Sequence, residues 1–526
     1  MSIISIDPIL SCKEAIEFES RIFADDADRE WQAMNRAGEA IGDSLLRDMR
    51  ELRTIPHRPR ILVLVGKGHN GGDALVAAKR FLKTIPTAKA VIWPYCPWDE
   101  VRPLCKRAYD EFIELVGKRV EEVENLKSFS SQVEIESQFL EFLEKGEFSA
   151  SIDGYLGMKG KLPLQSPLSD FVSIFNKCEW IGVRAAVDMP TGLGEDGTLD
   201  QAIKADFTYS TGIAKSPIIN NSNLHWTGRL RYLDLGFFKN DEDSCIINSN
   251  IGVLRPSSLK VLRKLRSVNS DKRSNGHLFL LAGSRDLGGA AMMSAKAALK
   301  AGVGLLTVGI PESLHTSFVA NCPEAMWLSL PETPNGSLAL EGLGKIRQFF
   351  NKVSALAVGP GLGSEPETHS LIRETLNLWK GNAVIDADAL RSDIIEKVSK
   401  PERLILTPHS GEFKRISITE SVSEYSSRTG SIVIYKEPHT QIVSSKKTVF
   451  AFSGSSLLAR GGSGDLLTGI IGSLVAKNFY DLFDSALLGV LWHGRAAEVL
   501  ARQHGQEAVN VTDILDYLSF SIRNDF

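Results

Sequence analysis

Cysteine, long apolar runs and an excess of basic charge are all scarce in this sequence of 526 residues. The six cysteines form no CxxC pair and have no histidine cluster nearby, which argues against a disulfide framework and a structural zinc site. No apolar run approaches the roughly 20 residues that a membrane-spanning helix needs. A net charge of -4 provides no basic field for nucleic acid. We therefore expect no membrane and no nucleic-acid partner.

The composition is that of a large globular protein. Hydrophobic residues make up 43% and charged residues 24% of the chain, which is typical of folded proteins that are neither fibrous nor disordered. The chain is too long for one ordinary core, so more than one domain is expected. Acidic residues follow the start almost at once, unlike in a signal peptide, and we therefore expect a cytoplasmic protein.

Short apolar runs alternate with helical periodicity along two stretches of the chain. ILVLVG at 61–66 is fully apolar, as buried parallel strands are, and AVDM at 186–189 is a later strand candidate of the same sheet. The polar and acidic segment FKNDEDSC at 238–245 interrupts the alternation and is a candidate linker. We predict two α/β domains with largely parallel sheets, one at 1–240 and the other at 246–526.

The first chemical signal is VLVGKGHNGGDALVAAKRF at 63–81, which predicts a strand, a glycine-rich turn and a helix. Its four glycines permit a sharp turn and a close approach of a ligand phosphate, and the helix directs its free amides at that ligand. The spacing is not the plain dinucleotide fingerprint, because it continues into an Asn-Gly-Gly-Asp string. A purely structural tight turn is the alternative interpretation.

The turn resembles the G-x-G-N-N-G-G-D-G loop of NAD(P)H-hydrate epimerases, the family of the YjeF N-terminal domain. Further matches follow in the family order over roughly residues 15–236. Residues 153–157 resemble D-A-x-x-G, and residues 187–193 resemble V-D-I-P-S-G-L. Residues 205–208, followed by Lys215, resemble A-D-x-T and its lysine. The resemblance implies a Rossmann-like, three-layer N-terminal domain.

The same resemblance implies two kinds of ligand contact in this half. Asn70, Asp153 and Thr191 would hold a potassium ion through oxygen atoms, which suit a hard cation. Asp188 would handle the proton, because opening and reclosing of a hemiaminal carbon needs an acid or base within hydrogen-bond reach. The hydrated nicotinamide would contact His69, Asn70, Gly71, Gly72, Asp73, Gly157, Lys159 and Asp188.

Several positions depart from the family pattern. His69 stands in place of an asparagine, Ala74 in place of a glycine, and Thr191 in place of the usual serine. Thr191 keeps the hydroxyl group. Met158 and Lys159 occupy the position of an expected Thr-Gly pair and add bulk to a ligand loop. The alternative interpretation of this half is a retained fold with weak epimerase activity.

The second chemical signal is the string ARGGSGDLLTG at 459–469, which enters an apolar helix. Consecutive amides at 461–464 would form an anion hole, which stabilises the charge on a phosphoryl group in transfer. Asp465 lies at its entrance, where it would deprotonate an attacking substrate hydroxyl. The string resembles the G-A-G-D signature of ribokinase-like enzymes. The alternative interpretation is a glycine-rich helix start with Asp465 as a cap.

Further strings around this loop define the resemblance more narrowly. In order, they resemble the motifs of ADP/ATP-dependent NAD(P)H-hydrate dehydratases over about residues 252–526, which implies a ribokinase-like α/β fold. Phosphorylation of the ring hydroxyl makes a leaving group that the ring nitrogen expels, so kinase machinery performs a net dehydration. The strings are DKRSNG at 271–276, LAGSR at 281–285 with Gly289 and Ala290, GPGLG at 359–363, DAD at 386–388 and TPHSGE at 407–412.

The dehydratase resemblance also implies binding residues. Glu437 replaces a family glycine and adds a carboxylate close to the expected phosphates, a charge that Arg460 could offset. The hydrated ring would contact Ala290, Gly363, His409 and Asp465, with Asp465 as the catalytic base. The nucleotide would contact Lys436, Glu437, Pro438, His439, Thr440, Gly461, Gly462, Ser463 and Gly464.

We therefore predict a bifunctional enzyme that epimerises and dehydrates hydrated NADH and NADPH. ADP or ATP is the expected cosubstrate, with ADP favoured by resemblance to bacterial two-domain chains, and Mg²⁺ and K⁺ are the expected cofactors. We expect a homo-oligomer with small-molecule substrates. The alternative function is a ribokinase-like small-molecule kinase with a non-catalytic N-terminal binding domain.

Overall fold

The computed structural model divides the chain into two compact units. Asp7–Ser249 form the N-terminal unit, and Asn250–Phe526 form the C-terminal unit together with the residues up to Ile6. The candidate linker at 238–245 lies outside the described residues from residue 239 onward. The structure describes residues 4–195, 201–238 and 249–523.

Seven strands of the N-terminal unit form a parallel sheet, and two more form a parallel pair outside that sheet. In chain order they are β1 (Ile6–Leu10), β2 (Arg60–Val65), β3 (Lys89–Pro94), β4 (Val120–Glu122), β5 (Phe148–Gly154), β6 (Ile181–Val187), β7 (Phe207–Thr211), β8 (Ala214–Lys215) and β9 (Arg229–Leu233). Among the described residues, the sheet has seven strands in the order β4-β3-β2-β5-β6-β7-β9, all parallel. The pair consists of β1 and β8, which align Leu10 with Lys215.

Helices cover both faces of this sheet. They are α1 (Cys12–Phe23), α2 (Ala27–Asp48), α3 (His69–Thr84), α4 (Pro103–Val116), α5 (Gln132–Glu144), α6 (Leu168–Phe175), α7 (Ser216–Ile219) and α8 (Leu224–Thr227). Ile61, Val63 and Val65 of β2 pack in a core with α2, α3 and α4, whereas Leu62 and Leu64 pack in a second core with α5 and α6. This alternation follows from the two-residue period of a strand and gives the three layers predicted from the sequence.

The C-terminal unit has a mixed sheet that is largely parallel. Its strands are β10 (Ile251–Leu254), β11 (His277–Leu281), β12 (Leu305–Pro311), β13 (Met326–Leu330), β14 (Ala355–Val358), β15 (Asn382–Ile385), β16 (Leu404–Leu406), β17 (Ile432–Tyr435), β18 (Thr440–Val443) and β19 (Thr448–Ala451). They follow the order β13-β12-β11-β14-β15-β16-β17-β18-β19-β10, and β18 runs antiparallel to both of its neighbours. The prediction of two α/β domains with largely parallel sheets is confirmed.

The helices of the C-terminal unit again lie on both faces of the sheet. They are α9 (Gly288–Lys300), α10 (His315–Asn321), α11 (Leu343–Arg347), α12 (Pro366–Leu378), α13 (Ser392–Ile395), α14 (Ser410–Ile416), α15 (Val422–Thr429), α16 (Ser463–Lys477), α17 (Leu482–His504) and α18 (Ile514–Arg523). Leu278 and Leu280 of β11 pack in one core with α9, α16 and α17. Phe279 and Leu281 pack in the opposite core with α12.

Parallel strands bring distant residues to one edge of this sheet. Asp386 directly follows β15, Thr407 follows β16, and Lys436 follows β17. The carboxyl ends of neighbouring parallel strands lie at the same edge, which is where ligands bind in open α/β sheets. The order of the strands therefore places these three side chains together.

The C-terminal unit includes the first described residues of the chain because these residues pack in its core. Ile4 is buried in the same cluster as Leu254 and Leu259. The Ser5 amide donates a hydrogen bond to Ser258 Oγ at 3.2 Å, and the Arg255 amide donates to the Ser5 carbonyl at 3.1 Å. The sequence-based boundary instead placed these residues in the domain at 1–240.

Across the part of the chain that the structure describes, no helix combines the length and the apolar character that a membrane span requires.

Candidate functional sites

The glycine-rich turn between β2 and α3 is packed against its own surroundings. A Cβ atom on Gly66 would lie 1.9 Å from the Tyr155 carbonyl oxygen, and one on Gly71 would lie 2.2 Å from the Gly66 carbonyl oxygen. A Cβ atom on Gly72 would lie 2.5 Å from Met34 Sδ. Gly71 and Gly72, both predicted to contact substrate, are therefore needed for the close packing of the loop.

A cavity of about 780 Å³ opens at this end of the N-terminal unit. Its wall comes from α1, α2, the start of α3 and the loops that follow β5 and β6. The cavity brings together most of the predicted substrate contacts. Its lining includes His69, Asn70, Asp73, Gly157, Lys159 and Asp188.

A buried ion pair lies in the wall of the cavity. Lys215 Nζ is 2.6 Å from Asp188 Oδ1, and the two side chains are 2% and 7% exposed. Burial lowers the pKa of Lys215, but the carboxylates of Asp188 and Glu19 outweigh it and raise that pKa above its usual value. The predicted proton-handling group is therefore held in a buried contact with a lysine side chain. The sequence motif contained Lys215 but did not indicate this role.

The backbone of Asp188 is also unusual. Its φ angle is +65°, in the left-handed region that side chains other than glycine rarely occupy. The Asp188 amide donates to the Tyr209 carbonyl at 2.9 Å, which holds the residue just past the end of β6. Strained backbone of this kind clusters at functional sites, because the surrounding structure must enforce it.

Two further carboxyl groups line the same cavity. Burial raises the pKa of Asp73 well above its usual value, and the carboxylates of Asp188 and Glu19 raise it further. Burial also raises the pKa of Glu19 on α1. Glu19 was missed by sequence reasoning, because a single glutamate on an amphipathic helix carries no motif.

The predicted potassium ligands converge around Leu156. Thr191 donates to Asp153 through its amide at 2.8 Å and its hydroxyl at 2.7 Å. Thr191 Oγ1 accepts from the Leu156 amide at 3.0 Å, and Asn70 Nδ2 donates to the Leu156 carbonyl at 3.3 Å. Burial raises the pKa of Asp153 to about 6, although hydrogen bonds from Thr191 and Tyr155 oppose the shift.

The departures from the family pattern occupy different positions around the cavity. His69 lies with its Nε2 3.8 Å from Glu30 Oε2, and burial lowers its pKa. Lys159 is exposed at the cavity, whereas Met158 packs against the cluster that contains Leu10 and Phe18. The bulk of Met158 therefore adds to a local hydrophobic core.

In the C-terminal unit, the glycine-rich loop ends at the start of α16. Gly462 is the N-cap with a φ of +93°, and a Cβ atom there would lie 2.7 Å from Met293 Sδ. A Cβ atom on Gly464 would lie 3.2 Å from Lys436 Nζ, whereas Gly461 faces open space. Ser463 is buried as the first helical residue. The amides of Gly461, Gly462 and Gly464 therefore lie at a helix start, which suits an anion, whereas the Ser463 amide donates to the Arg460 carbonyl at 3.2 Å.

Asp386 is the centre of a buried hydrogen-bond network beside this loop. It accepts from Thr407 Oγ1 at 2.6 Å, from Thr468 Oγ1 at 2.7 Å and from Lys436 Nζ at 3.0 Å. Burial lowers the pKa of Lys436, but Asp386 and Glu412 outweigh it and raise that pKa. The network holds the Lys436 ammonium close to Gly464. Sequence reasoning identified the string that contains Asp386 but gave the residue no role.

Asp465 lies in the first turn of α16 and carries a strongly shifted pKa. Burial raises this pKa to about 7, with further contributions from the carboxylates of Asp386, Asp388 and Glu412, while Lys436 opposes them. Its backbone carbonyl accepts from Ser294 Oγ of α9 at 2.9 Å. A carboxylate with a pKa near neutrality is suited to accept a proton.

His409, Gly363 and Ala290 are the other residues predicted to contact the ring, and each is positioned by nearby residues of the C-terminal unit. His409 caps α14, with Nδ1 accepting from the Gly411 amide at 3.0 Å, and its side chain stays half exposed. The Gly363 amide donates to Asp388 Oδ2 at 2.9 Å. Ala290 lies near Gly361, where an added Cβ atom would meet Ala290 Cβ at 2.9 Å.

The segment 436–440 follows β17 and enters β18. His439 is 5% exposed, and no described residue forms a hydrogen bond with its Nε2. Burial lowers the pKa of His439 to about 4, so the ring is neutral. Glu437 accepts a hydrogen bond from Tyr435, Pro438 is exposed, and Thr440 Oγ1 donates to the Glu437 carbonyl at 3.3 Å.

The compensation of Glu437 by Arg460, expected from the sequence, is not what the structure shows. Arg460 donates to the Val509 carbonyl at 2.5 Å and to the Gln506 carbonyl at 2.6 Å. It also forms an ion pair with Glu507 at 3.2 Å. The guanidinium of Arg460 therefore binds the loop before α18, where the carbonyls of Gln506 and Val509 accept its hydrogen bonds.

Two family models match the chain, one in each unit. The model for the YjeF-related protein N-terminus matches residues 30–216, and the model for NAD(P)H-hydrate dehydratase matches residues 278–519. Among solved structures, the C-terminal part is similar to the ADP/ATP-dependent NAD(P)H-hydrate dehydratase from Bacillus subtilis co-crystallised with ATP and Mg²⁺. That match has 25% identity and a TM-score of 0.43, and it covers 51% of this chain and 96% of the other.

Whole-chain relatives carry both units. The bifunctional NAD(P)H-hydrate repair enzyme of Thermosynechococcus vestitus is 31% identical over 510 residues, which is 92% of each chain. The enzyme of the same name from Gloeobacter violaceus is 32% identical over 470 residues, which is 85% of each chain. This chain belongs to the family of bifunctional NAD(P)H-hydrate repair enzymes, which join an epimerase to a dehydratase.

Proposed function

We propose that each unit performs one step in the repair of hydrated NADH and NADPH. The N-terminal unit interconverts the R and S hydrates, and the C-terminal unit dehydrates the S hydrate at the expense of ADP or ATP. One observation carries the proposal. Asp465, whose pKa is raised to about 7, lies in the first turn of α16 directly after the glycine-rich loop.

The dehydration follows from this arrangement. Asp465 removes the proton from the ring hydroxyl as the hydroxyl oxygen attacks the terminal phosphorus, and the phosphoanhydride bond breaks. The amides of Gly461, Gly462 and Gly464 and the Lys436 ammonium stabilise the charge on the transferring phosphoryl group. The ring nitrogen then expels phosphate, and loss of a proton from the neighbouring ring carbon restores the dihydropyridine.

The carboxylates that act on Asp465 are the proposed ligands of a divalent cation. Asp388 and Glu412 would supply hard oxygen atoms of the kind that Mg²⁺ prefers. The ion would neutralise phosphate charge when it is bound. Preference for ADP over ATP stays a prediction, as do the homo-oligomeric state and the cytoplasmic location.

In the N-terminal unit, the donor set at Asp153 fits potassium. The hydrogen bonds to this buried carboxyl come from uncharged donors on Thr191 and Tyr155, so a bound cation would stabilise its ionised form. Asn70 and Thr191 add neutral oxygens of the type that hard cations bind. The cation would supply a fixed positive charge near the reacting ring.

Asp465→Asn tests the dehydratase assignment. We expect loss of at least about a hundredfold in ADP-dependent recovery of NADH fluorescence from the S hydrate, because the base is removed from a preorganised site. In the unchanged chain the rate should fall as the pH drops below about 7, since protonation of Asp465 removes the base.

The matched control is Asp393→Asn, an aspartate in the first turn of another helix of the same unit. It should dehydrate at the unchanged rate. Dehydration by Asp465→Asn within about tenfold of the unchanged chain would contradict the proposal.

A further inference from the structure

Among the described residues that line the epimerase cavity, the acidic groups outnumber the buried ammonium groups. Glu19, Asp73 and Asp188 all line it, and Lys215 is the buried cation among them. A single ammonium can neutralise one carboxylate, and neighbouring carboxyl groups in a poorly solvated site do not all ionise. The proposed potassium ion would be balanced by the carboxylate of Asp153, so at least one of these three carboxyl groups keeps its proton.

Contact distance identifies the carboxylate that is ionised. Asp188 lies 2.6 Å from Lys215 in a pair that is almost fully buried. Charge-assisted hydrogen bonds of this length stabilise the ionised form of both partners. The carboxylate of Asp188 therefore neutralises the ammonium of Lys215.

The surroundings of Asp73 favour the protonated form. Asp73 is 8% exposed, and its carboxyl group forms no hydrogen bond or ion pair with a side chain of the described residues. The charged groups that shift its pKa are Asp188, Glu19 and Lys215. Cys105 of α4 also interacts with it, but burial raises the pKa of this thiol to about 12, so the thiol is neutral. Burial also raises the pKa of Glu19, but less than that of Asp73, because Glu19 is partly exposed and lies near Lys159. The proton therefore stays on Asp73.

We propose that Asp73 is a second catalytic residue of the epimerase, donating a proton to the ring nitrogen while Asp188 accepts one from the ring hydroxyl. The proposal deepens the function proposed above and rests on it. An acid and a base can work in one site when the surroundings keep one carboxyl group protonated and the other ionised.

The proton balance closes over one cycle. Asp188 takes the hydroxyl proton, a carbonyl forms at the ring carbon, the carbon–nitrogen bond breaks, and the nitrogen receives the proton of Asp73. Rotation about the adjacent carbon–carbon bond then presents the other face of the carbonyl. The nitrogen attacks that face and returns its proton to Asp73, while Asp188 returns its proton to the oxygen. No oxidant or reductant takes part.

Asp73→Asn tests the proposal in the full chain at a constant potassium concentration. The amide is the same size as a protonated carboxyl group but has no acidic proton to transfer. We expect kcat for epimerisation to fall at least about a hundredfold with little change in KM. The loss of rate at high pH that marks the acid in the unchanged chain should also disappear. Dehydration of the S hydrate by the same variant provides the control for folding of the chain.

A second measurement separates a chemical role from a structural one. Because Asn mimics the protonated state, Asp73→Asn should leave the unfolding temperature of the N-terminal unit unchanged or raise it. Asp188→Asn should lower that temperature, because it leaves Lys215 buried without its carboxylate. The infrared spectrum of the unchanged chain minus that of Asp73→Asn, both at neutral pH, should contain a protonated-carboxyl band.

The outcomes distinguish this inference from the proposed function. If the unchanged chain epimerises hydrates and Asp73→Asn does so within about threefold, the role of Asp73 is wrong while the epimerase assignment stands. If Asp73→Asn lowers the unfolding temperature strongly and the infrared band is absent, Asp73 is an ionised partner of Lys215. That result would overturn the inference. A lack of epimerisation by the unchanged chain would overturn both.

Discussion

Asp153 shows how one buried side chain links electrostatics to an activity. With a pKa of about 6, the carboxyl group is mostly ionised at neutral pH although its hydrogen bonds come from neutral donors. Such a charge is costly to bury unless a cation approaches it. The proposed potassium site would supply that cation, and Asn70 and Thr191 would complete the oxygen set.

We predict that Asp153→Ala slows epimerisation by about tenfold or more, because removing a residue of a metal site typically lowers activity by at least that factor. The rate of the unchanged chain should rise with added KCl at constant ionic strength, and the variant should lose this dependence. Asp110→Ala, an exposed aspartate of α4 in an ion pair with Lys106, is the control and should keep it. An equal response of both variants to potassium would argue against the site.

At the scale of residues, the sequence predicted those that lie in motifs. Asn70, Asp153 and Thr191 could be found because each stands in a string with fixed spacing, and the structure brings them around Leu156. Glu19 could not be found, because its proximity to Lys215 depends on how α1 packs in the fold. Whether these residues perform the proposed roles stays a prediction.

The element that presents Asp465 depends on close packing of two helices. A Cβ atom on Gly469 of α16 would lie 2.2 Å from the Ser294 carbonyl oxygen and 2.7 Å from Ala297 Cβ, both on α9. Ser294 also holds the Asp465 carbonyl through its hydroxyl. The spacing of α9 and α16 therefore sets the position of the turn that carries Asp465.

We predict that Gly469→Ala destabilises the C-terminal unit by about 1–3 kcal/mol, the range for overpacking a core, and lowers dehydratase kcat. Urea unfolding and initial rates measure the two effects. The matched control is Gly344→Ala on α11, where the added methyl meets nothing within 4 Å. That change should be neutral or slightly stabilising, since alanine favours a helix. Equal behaviour of the two variants would contradict the packing argument.

Elements with continuous apolar sequence were the most predictable. ILVLVG at 61–66 matches β2, which is buried on both faces between helices. AVDM at 186–189 captured only the last residues of β6, which extends over Ile181–Val187. The rest was missed because Gly182 and Arg184 interrupt the apolar run, and both positions are incompletely buried.

At the scale of the whole molecule, the two-unit organisation followed from chain length and from two series of motifs. The assignment of Ile4 could not be predicted, because a short apolar segment carries no information on which core will bury it. Its burial with Leu254 and Leu259 is a long-range contact that depends on the tertiary fold. The unit that contains Asp465 therefore depends on residues from the other end of the sequence.

We predict that Ile4→Ala lowers the inactivation temperature of the dehydratase and leaves that of the epimerase unchanged. Truncation of a buried isoleucine costs about 2 kcal/mol or more. The matched variant is Leu10→Ala, six positions later, which removes a buried side chain from the cluster around Phe18 in the N-terminal unit. It should lower the inactivation temperature of the epimerase alone. Loss of the same activity in both variants would contradict this division of the chain.

The same division has a consequence during protein synthesis. Domains generally fold in the order in which a ribosome releases them, so the residues of the N-terminal unit emerge complete before β10 exists. Ile4 and Ser5 leave the ribosome before the N-terminal unit but are covered only after Leu254, Arg255 and Ser258 have followed. A ribosome that stalls near residue 249 would therefore release a finished epimerase with an uncovered apolar end, a feature that chaperones and proteases recognise.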